Sequence, residues 1–205
     1  QNTPAQKSTS STEADEQFNY VKTGTDSQKI LGRRGDDVRI DWGYFYMAAD
    51  KNHTNAVGNA LNLRKSFAEG GEVVASNDGN QMALSAKIGK VGATEVSNYI
   101  MVGYDDIYSI QYFKENIRPY WNRKGDSSIQ KQFALAAAEY EQLMKRCEKF
   151  DAKLMHDAAI SGGKEYAELL ALAYRQAIAA HKLIETPNGE LAWLSKENYS
   201  NGSIG

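Results

Sequence analysis

One short polar segment near the end of the chain carries more chemistry than a loop requires. Residues 195–203 read Ser-Lys-Glu-Asn-Tyr-Ser-Asn-Gly-Ser and follow a predicted strand. A carboxylate, here Glu197, can bind an ammonium group. Ammonium and amide donors can bind a carboxylate, and the segment has three of them: Lys196, Asn198 and Asn201. The segment therefore predicts a site for an α-amino acid, with Glu197 as the candidate catalytic residue. A polar loop with an Asn-Gly turn is the structural alternative.

A second candidate lies in the first half of the chain, on a predicted strand. Arg39 and Asp41 are two residues apart, so they project from the same strand face. A cross-strand ion pair on a wet face is the simplest interpretation. A ligand-facing pair at a domain junction is the alternative, and Asp41 therefore joins the candidate substrate-binding residues.

Other common chemistries find little support in the residue pattern. The histidines are His53, His156 and His181, and none has metal-site spacing with another or with a carboxylate pair. They are interpreted as structural or surface residues. Cys147 falls on an apolar helical stripe, which predicts a buried small side chain. No glycine-rich loop precedes a predicted helix, as a phosphate site would require. We therefore predict no metal site and no cofactor.

Composition restricts the classes of function further. The 205 residues contain 24 Lys and Arg against 26 Asp and Glu, so the basic surplus typical of nucleic-acid-binding domains is missing. The apolar runs are far shorter than the roughly 20 residues of a membrane-spanning helix. We expect a globular protein whose partners include neither nucleic acid nor a membrane.

The first half of the chain has the hydrophobic pattern of strands. Residues 1–17 are polar without apolar periodicity, which predicts a disordered lead-in. From residue 18 to about residue 104 the period is two, most clearly over 38–46 and 82–88. Strict alternation of this kind predicts strands with one buried face.

From about residue 105 the apolar residues recur every three or four positions, which indicates helices. Asp105 or Asp106 is predicted to cap a short helix that ends near Pro119. A long amphipathic helix is predicted next, and it ends at the glycine pair 162–163.

The helix predicted over residues 165–183 is apolar on several sides. A helix with so wide an apolar arc must be covered by more than one neighbour, and this chain offers too few. The turn Pro187-Asn188-Gly189 then predicts a closing β-hairpin. Together the elements predict an α+β fold, and the uncovered face predicts that the chain is a segment of a larger protein.

Five motifs lie in order along the chain and cover roughly residues 28–205. They contain Asp41-Trp42-Gly43-Tyr44, Gly103-Tyr104-Asp105-Asp106-Ile107-Tyr108, Arg118-Pro119-Tyr120-Trp121, Ala171-Leu172-Ala173-Tyr174-Arg175-Gln176 and Ser195-Lys196-Glu197-Asn198-Tyr199-Ser200-Asn201-Gly202. In sequence and spacing they resemble one family, the large glutaminase A-like proteins of bacteria and fungi.

The resemblance implies a protein several times longer than this chain, in which a β-sandwich region precedes a six-hairpin α/α toroid like those of glycosidases. Residues 18–104 would form the C-terminal part of an antiparallel sandwich, and residues 105–205 the first helices of an incomplete toroid. The resemblance also implies that the chain continues past Gly205, typically with Thr. One hypothesis is therefore that this chain is the upstream product of self-cleavage in an N-terminal-nucleophile hydrolase. The alternative is that the end at Gly205 has another origin, such as adventitious proteolysis.

The activity implied by the resemblance is hydrolysis of the glutamine side-chain amide to glutamate and ammonia, in a secreted or periplasmic setting. The partners would be a small-molecule substrate, glutamine or a related amide, and the remaining segments of the same protein. Two alternatives stay open. One is a six-hairpin glycoside hydrolase with paired carboxylates, of which Glu197 would be one. The other is a non-catalytic carbohydrate- or protein-binding module.

Overall fold

The computed structural model describes residues 7–30, 42–76, 79–86, 90 and 92–195. The chain forms two compact units, Gln1–Gly32 with Ile40–Ile107 and Arg33–Arg39 with Tyr108–Gly205. Antiparallel sheets and helices together confirm the predicted α+β class. The elements of the described residues are β1 (Ser8–Ala14), β2 (Phe18–Thr25), β3 (Tyr44–Asp50), β4 (Thr54–Gly58), α1 (Ala60–Gly70), β5 (Gln81–Ser85), β6 (Met101–Asp105), β7 (Ile110–Tyr112), β8 (Glu115–Ile117), a 3₁₀ turn (Tyr120–Asn122), α2 (Ile129–Ala180), β9 (His181–Glu185) and β10 (Leu191–Ser195).

The first unit is built on a four-stranded antiparallel sheet in the order β1-β2-β3-β6. Strand β2 is covered on both faces, because Phe18 and Tyr20 on one side and Val21 and Thr25 on the other are all buried. A strand buried on both faces belongs to the interior of a layered structure. The sheet therefore forms the centre of this unit.

A small second layer of the first unit consists of the β4–β5 pair, which contacts the four-stranded sheet, and helix α1, which contacts the β4–β5 pair. Its apolar core is formed by Ala56, Leu63 and Val73. Helix α1 begins at Asn59, whose side chain accepts a hydrogen bond from the Leu61 N–H at 2.9 Å. This bond satisfies a backbone donor that has no partner within the helix.

Strand β1 shows that the prediction of a disordered lead-in over residues 1–17 is wrong for residues 8–14. The strand pairs with β2 along its whole length, and Ser10 Oγ donates a hydrogen bond to Thr23 Oγ1 at 2.9 Å. An edge strand of serine and threonine buries little apolar surface, so hydrophobic periodicity does not reveal it. Backbone pairing and side-chain hydroxyl groups hold it instead.

The β1–β2 connection depends on the carboxylate of Asp15. Its Oδ1 accepts hydrogen bonds from the N–H groups of Gln17 and Phe18, each at 2.8 Å. Its Oδ2 accepts a third from the Tyr20 hydroxyl at 2.5 Å. Burial opposes ionisation of this carboxyl, but the three hydrogen bonds outweigh burial and lower the pKa of Asp15. Burial, assisted by Asp15, raises the pKa of Tyr20.

We expect Asp15→Asn to destabilise the protein at pH 7 and to have a much smaller effect at pH 2.5. A carboxyl group with a lowered folded-state pKa stabilises the fold above its unfolded-state pKa, and this stabilisation is lost as the pH falls through the folded-state value. Because the turn is open to solvent, the loss at pH 7 should be only about 1 kcal/mol. Urea unfolding at both pH values measures it, with the neighbouring Glu16→Gln as the control. An equal loss at both pH values would contradict the prediction.

A β-hairpin, β7–β8, replaces the short helix predicted before Pro119. Its two turn residues, Phe113 and Lys114, have φ of 46° and 74°. Two consecutive residues with positive φ make the tight turn whose twist suits antiparallel strands. Ile107, expected within the helix, has φ 54° and so cannot be α-helical. The three-residue spacing of apolar side chains here is therefore not a helical signal.

Helix α2 of the second unit consists of two helical arms joined at Gly163. This residue has φ 83° and ψ −175°, a conformation open essentially only to glycine. The rings of Phe150 and Tyr174 lie 5.4 Å apart. In a straight helix these residues would be separated by about 36 Å. The arms therefore fold back on each other as a helical hairpin, which confirms the predicted helix end at the glycine pair.

Much of the apolar surface of this hairpin remains exposed within the described residues. Ile160 is 74% exposed and Leu169 is 64% exposed. Cys147 is exposed as well, so the prediction of a buried thiol is wrong. A single neighbouring helix covers only one side of each arm, and the rest of a wide apolar stripe stays uncovered. None of the described helices has the length and apolar character to span a bilayer.

The closing hairpin predicted from Pro187-Asn188-Gly189 is confirmed as β9–β10. Gly189 has φ 81° and donates its N–H to the Thr186 carbonyl oxygen at 2.8 Å. Arg123 Nε, from the end of the 3₁₀ turn, lies 2.9 Å from a carboxylate oxygen of Glu185. This ion pair ties the 3₁₀ turn to β9, so the hairpin is held at a second point besides α2.

Candidate functional site

The candidate residues from the sequence lie outside the residues that the structure describes. Each nevertheless follows or precedes, in the sequence, a described part of the structure, which we call its anchor. Asp41 directly precedes Trp42 of the first unit, and the others follow Ser195, the last residue of β10. Those that follow β10 are Lys196, Glu197, Asn198 and Asn201.

Trp42 is held in a buried polar cluster of the first unit. It is only 6% exposed, and its Nε1 donates a hydrogen bond to the carbonyl oxygen of Asp106 at 2.9 Å. The hydroxyl of Tyr104 donates in turn to the Trp42 carbonyl oxygen. Two motifs whose contacting residues are 64 positions apart are thereby joined beside the β3–β6 pair.

Gly43 allows the two motifs to approach this closely. Its φ of 87° lies in the left-handed region, and a Cβ at this position would be 2.5 Å from the Asp105 carbonyl oxygen. Its N–H donates to Oε1 of Gln28, which adds a third segment to the cluster. Backbone conformation and lack of space both require glycine here.

Asp106 places a carboxyl group inside this cluster, since the residue is only 1% exposed. The sequence suggests a helix cap for Asp105 or Asp106, and the structure shows neither at a helix start. Asp105 Oδ1 instead accepts the Ile107 N–H at 3.0 Å, which shapes the bend after β6. We interpret the cluster as structural, because its hydrogen bonds fix the positions of Trp42 and Gly43. Both segments belong to the five motifs that carry the family resemblance, and this was the signal in the sequence that could have suggested their contact.

The second anchor is the β9–β10 hairpin, which the chain enters directly from the last turn of α2. His181 pairs with Ser195, and Leu183 pairs with Trp193. Paired residues and their second neighbours share a face, so His181, Ser195 and Trp193 lie on one side of the hairpin. The His181 and Trp193 rings are stacked, with centroids 6.0 Å apart and an interplanar angle of 1°. His181 Nδ1 lies 2.5 Å from the Ala177 carbonyl oxygen.

This geometry gives the second anchor a titratable group that residue spacing did not reveal. His181 was predicted to be structural or at the surface, because its ring partner is twelve positions away across a turn. The only available signal was its place at the junction of a predicted helix and hairpin. Among the described residues, no group of three or more His, Cys, Asp or Glu could hold a metal ion.

The fold and its two anchors define a class of protein. An antiparallel β unit stabilised by a buried Trp–Asp cluster precedes a unit built around a helical hairpin, and a polar segment follows a β-hairpin at the end of that unit. This is an α+β architecture with one antiparallel β unit and one helical-hairpin unit.

Two family models match the chain, and the border between them falls within the helical hairpin rather than between the two units. The chain belongs to the family described as the domain of unknown function DUF5127, whose model matches residues 1–157. Residues 163–205 match a second family model, the glutaminase A six helical-hairpin domain. The resemblance to glutaminase A-like proteins is thus confirmed.

A curated relative supports the same assignment. Over 199 residues the chain is 21% identical to a glutaminase A of Aspergillus oryzae. The match covers 90% of this chain, which spans 28% of the length of that protein. No solved structure matches the chain significantly.

Proposed function

We propose that this chain is a segment of a glutaminase-like amidohydrolase that converts glutamine to glutamate and ammonia in a secreted or periplasmic setting. The observation that carries the proposal is the similarity to a glutaminase A over 90% of the chain. The six helical-hairpin model matches the part that holds the candidate segment. Because the chain spans 28% of that relative, the activity belongs to a protein of comparable length that contains this chain.

In this proposal the residues after β10 bind the amino-acid part of glutamine and act on its amide. Lys196, Asn198 and Asn201 supply donors for the substrate carboxylate. Glu197 is the catalytic residue, because amide hydrolysis needs a group that moves a proton between the attacking and leaving groups. Asp41 is a separate candidate for substrate binding. The partners are glutamine or a related amide and the remaining segments of the same protein.

Glu197→Gln should lower kcat/KM for L-glutamine at least tenfold, or about 1.4 kcal/mol of transition-state stabilisation. The physical reason is that the amide side chain keeps the size of Glu197 but can neither hold a charge nor transfer a proton. Ammonia release by the protein of full length measures the effect. Glu190→Gln, in the exposed turn before β10, is the matched control and should be unchanged. Equal kinetics for Glu197→Gln and wild type would remove Glu197 from the site.

Assays on the same full-length protein distinguish the two alternative functions from glutamine hydrolysis. Release of reducing sugar from a polysaccharide, without ammonia from glutamine, would favour a glycoside hydrolase with paired carboxylates. Saturable binding of a carbohydrate or protein without turnover would favour a binding module, for which the half-exposed Trp193 is a suitable contact residue.

A further inference from the structure

We propose that Asn52 is an N-glycosylation site, the acceptor of an oligosaccharide when the protein passes through a eukaryotic secretory pathway. Asn52-His53-Thr54 has the Asn-X-Ser/Thr sequence that this modification requires, with a residue other than proline in the middle. The inference rests on the secreted setting proposed above and not on the reaction. The match to a protein of Aspergillus oryzae, a fungus, makes a eukaryotic pathway the relevant one.

The place of this motif in the fold decides its meaning, because a three-residue sequence is common by chance. Asn52 lies in the turn between β3 and β4, and the residue is exposed. His53, in contrast, is only 9% exposed. Thr54 is the first residue of β4 and pairs with Ser85. The second and third residues therefore anchor the motif in the fold, and the acceptor residue is left at the surface.

The backbone on both sides of Asn52 is held by Asn19 of β2. Its Nδ2 donates to the carbonyl oxygen of Lys51 at 3.0 Å and to that of His53 at 2.8 Å. The His53 N–H donates to the Asp50 carbonyl oxygen at 2.9 Å. Because these bonds fix the turn, Asn52 stays at the surface, where a large polar group can be attached without entering the core.

The described hydrogen bonds of Asn52 stay within its own turn. Nδ2 donates to Oδ1 of Asp50 at 2.6 Å, and the backbone N–H donates to the same oxygen at 2.9 Å. The side-chain nitrogen carries two hydrogens, and an N-linked glycan replaces one of them. The remaining hydrogen can still donate to Asp50, and the backbone bond is unaffected. The folded turn can therefore carry the glycan without losing these bonds.

The modification balances with a lipid-linked oligosaccharide as the co-reactant. Nδ2 of Asn52 bonds to the anomeric carbon of the sugar, and the bond from that carbon to the pyrophosphate oxygen breaks with its electron pair on oxygen. One proton leaves the amide nitrogen. The products are the glycosylated asparagine and the lipid pyrophosphate. Because the transfer precedes folding, the folded structure must leave the linked residue outside, as this exposed turn does.

A purely structural role for Asn52 is the alternative that an experiment must exclude. Asparagine is a common turn residue, because its side chain forms local hydrogen bonds such as the one to Asp50. This role depends on Asn52 and not on the hydroxyl group of Thr54. Thr54→Ala therefore removes the motif and keeps the turn residue, whereas Thr54→Ser keeps both.

The test uses the protein of full length, directed into the secretory pathway of a yeast by the host's own leader peptide. Treatment with peptide N-glycosidase in isotopically labelled water converts a glycosylated asparagine into labelled aspartate, which peptide mass spectrometry locates. We expect label at Asn52 in wild type and Thr54→Ser, and its complete loss in Thr54→Ala. Asn188 is the matched control, because it is also exposed in a turn but is followed by Gly-Glu, and it should carry no label.

The remaining outcomes separate a failure of the site from a failure of the proposed function. Wild type without label at Asn52 overturns the site, and so does label confined to Asn198 or Asn201, each of which also begins an Asn-X-Ser motif. Label that persists in Thr54→Ala overturns it as well. If wild type is labelled at Asn52 but releases no ammonia from glutamine, the proposed activity fails and the glycosylation site stands.

Discussion

Trp42→Ala is expected to lower the free energy of unfolding by about 3–5 kcal/mol, the range typical of large aromatic side chains removed from a core. Trp42 is 6% exposed and donates its indole N–H to the Asp106 carbonyl oxygen at 2.9 Å. The substitution leaves a cavity and removes the partner of a buried carbonyl group. It also loosens the loop whose carbonyl oxygen accepts the hydroxyl proton of Tyr104.

Denaturant unfolding measures this loss, and amide hydrogen exchange in β3 and β6 assigns it to the first unit. Trp42→Phe is the graded comparison, because it keeps an aromatic ring and loses the hydrogen bond to Asp106. It should cost about 1–3 kcal/mol, the penalty of an unsatisfied buried polar group. A loss below 1 kcal/mol for Trp42→Ala would show that the cluster does not hold this part of the sheet together.

Gly163→Ala should have the second largest effect, a loss of about 1–3 kcal/mol. No atom lies within 4 Å of the position that a Cβ would occupy at Gly163, so a steric clash with neighbours is not the cause. The cost comes from the backbone, because φ 83° with ψ −175° is unfavourable for any residue with a Cβ. Relief of this strain would require the two arms of α2 to move apart.

Gly70→Ala is a matched control, since its Cβ would also meet no atom within 4 Å and Gly70 lies at the end of α1 without positive φ. There the substitution should stabilise the protein by about 0.5–1 kcal/mol, because alanine loses less backbone entropy in a helix. Thermal unfolding of both variants tests the pair. A neutral Gly163→Ala would mean that the bend does not depend on glycine.

Local signals predicted those parts of the fold that are decided locally. The hairpin at Pro187-Asn188-Gly189 and the break at Gly163 were predictable because backbone conformation at a few residues determines each of them. Strand β1 was not, because its stability comes from pairing with β2 rather than from its own apolar pattern. The β7–β8 hairpin was not predicted either, because Phe113 and Lys114 are not residue types that favour a turn with positive φ.

The candidate site was predictable only as chemistry, not as geometry. A dense polar segment such as 195–203 identifies groups that can bind an amino acid, but the sequence does not show which residues surround them in space. The stacking of His181 on Trp193 depends on the pairing of β9 with β10, which brings distant positions onto one face. Only the folded hairpin shows that His181 pairs with Ser195, the last described residue before the polar segment.

The bend at Gly163 also has a bearing on how such proteins evolve. One family match ends at residue 157 and the next begins at residue 163, so the border between two inherited modules falls within a single helical hairpin. Ala158 and Ala167 are buried on either side of the bend at Gly163. A genetic exchange at this point would leave each product with one arm of the hairpin and without the helix that packs against it. Natural selection should therefore keep the two modules together in one lineage.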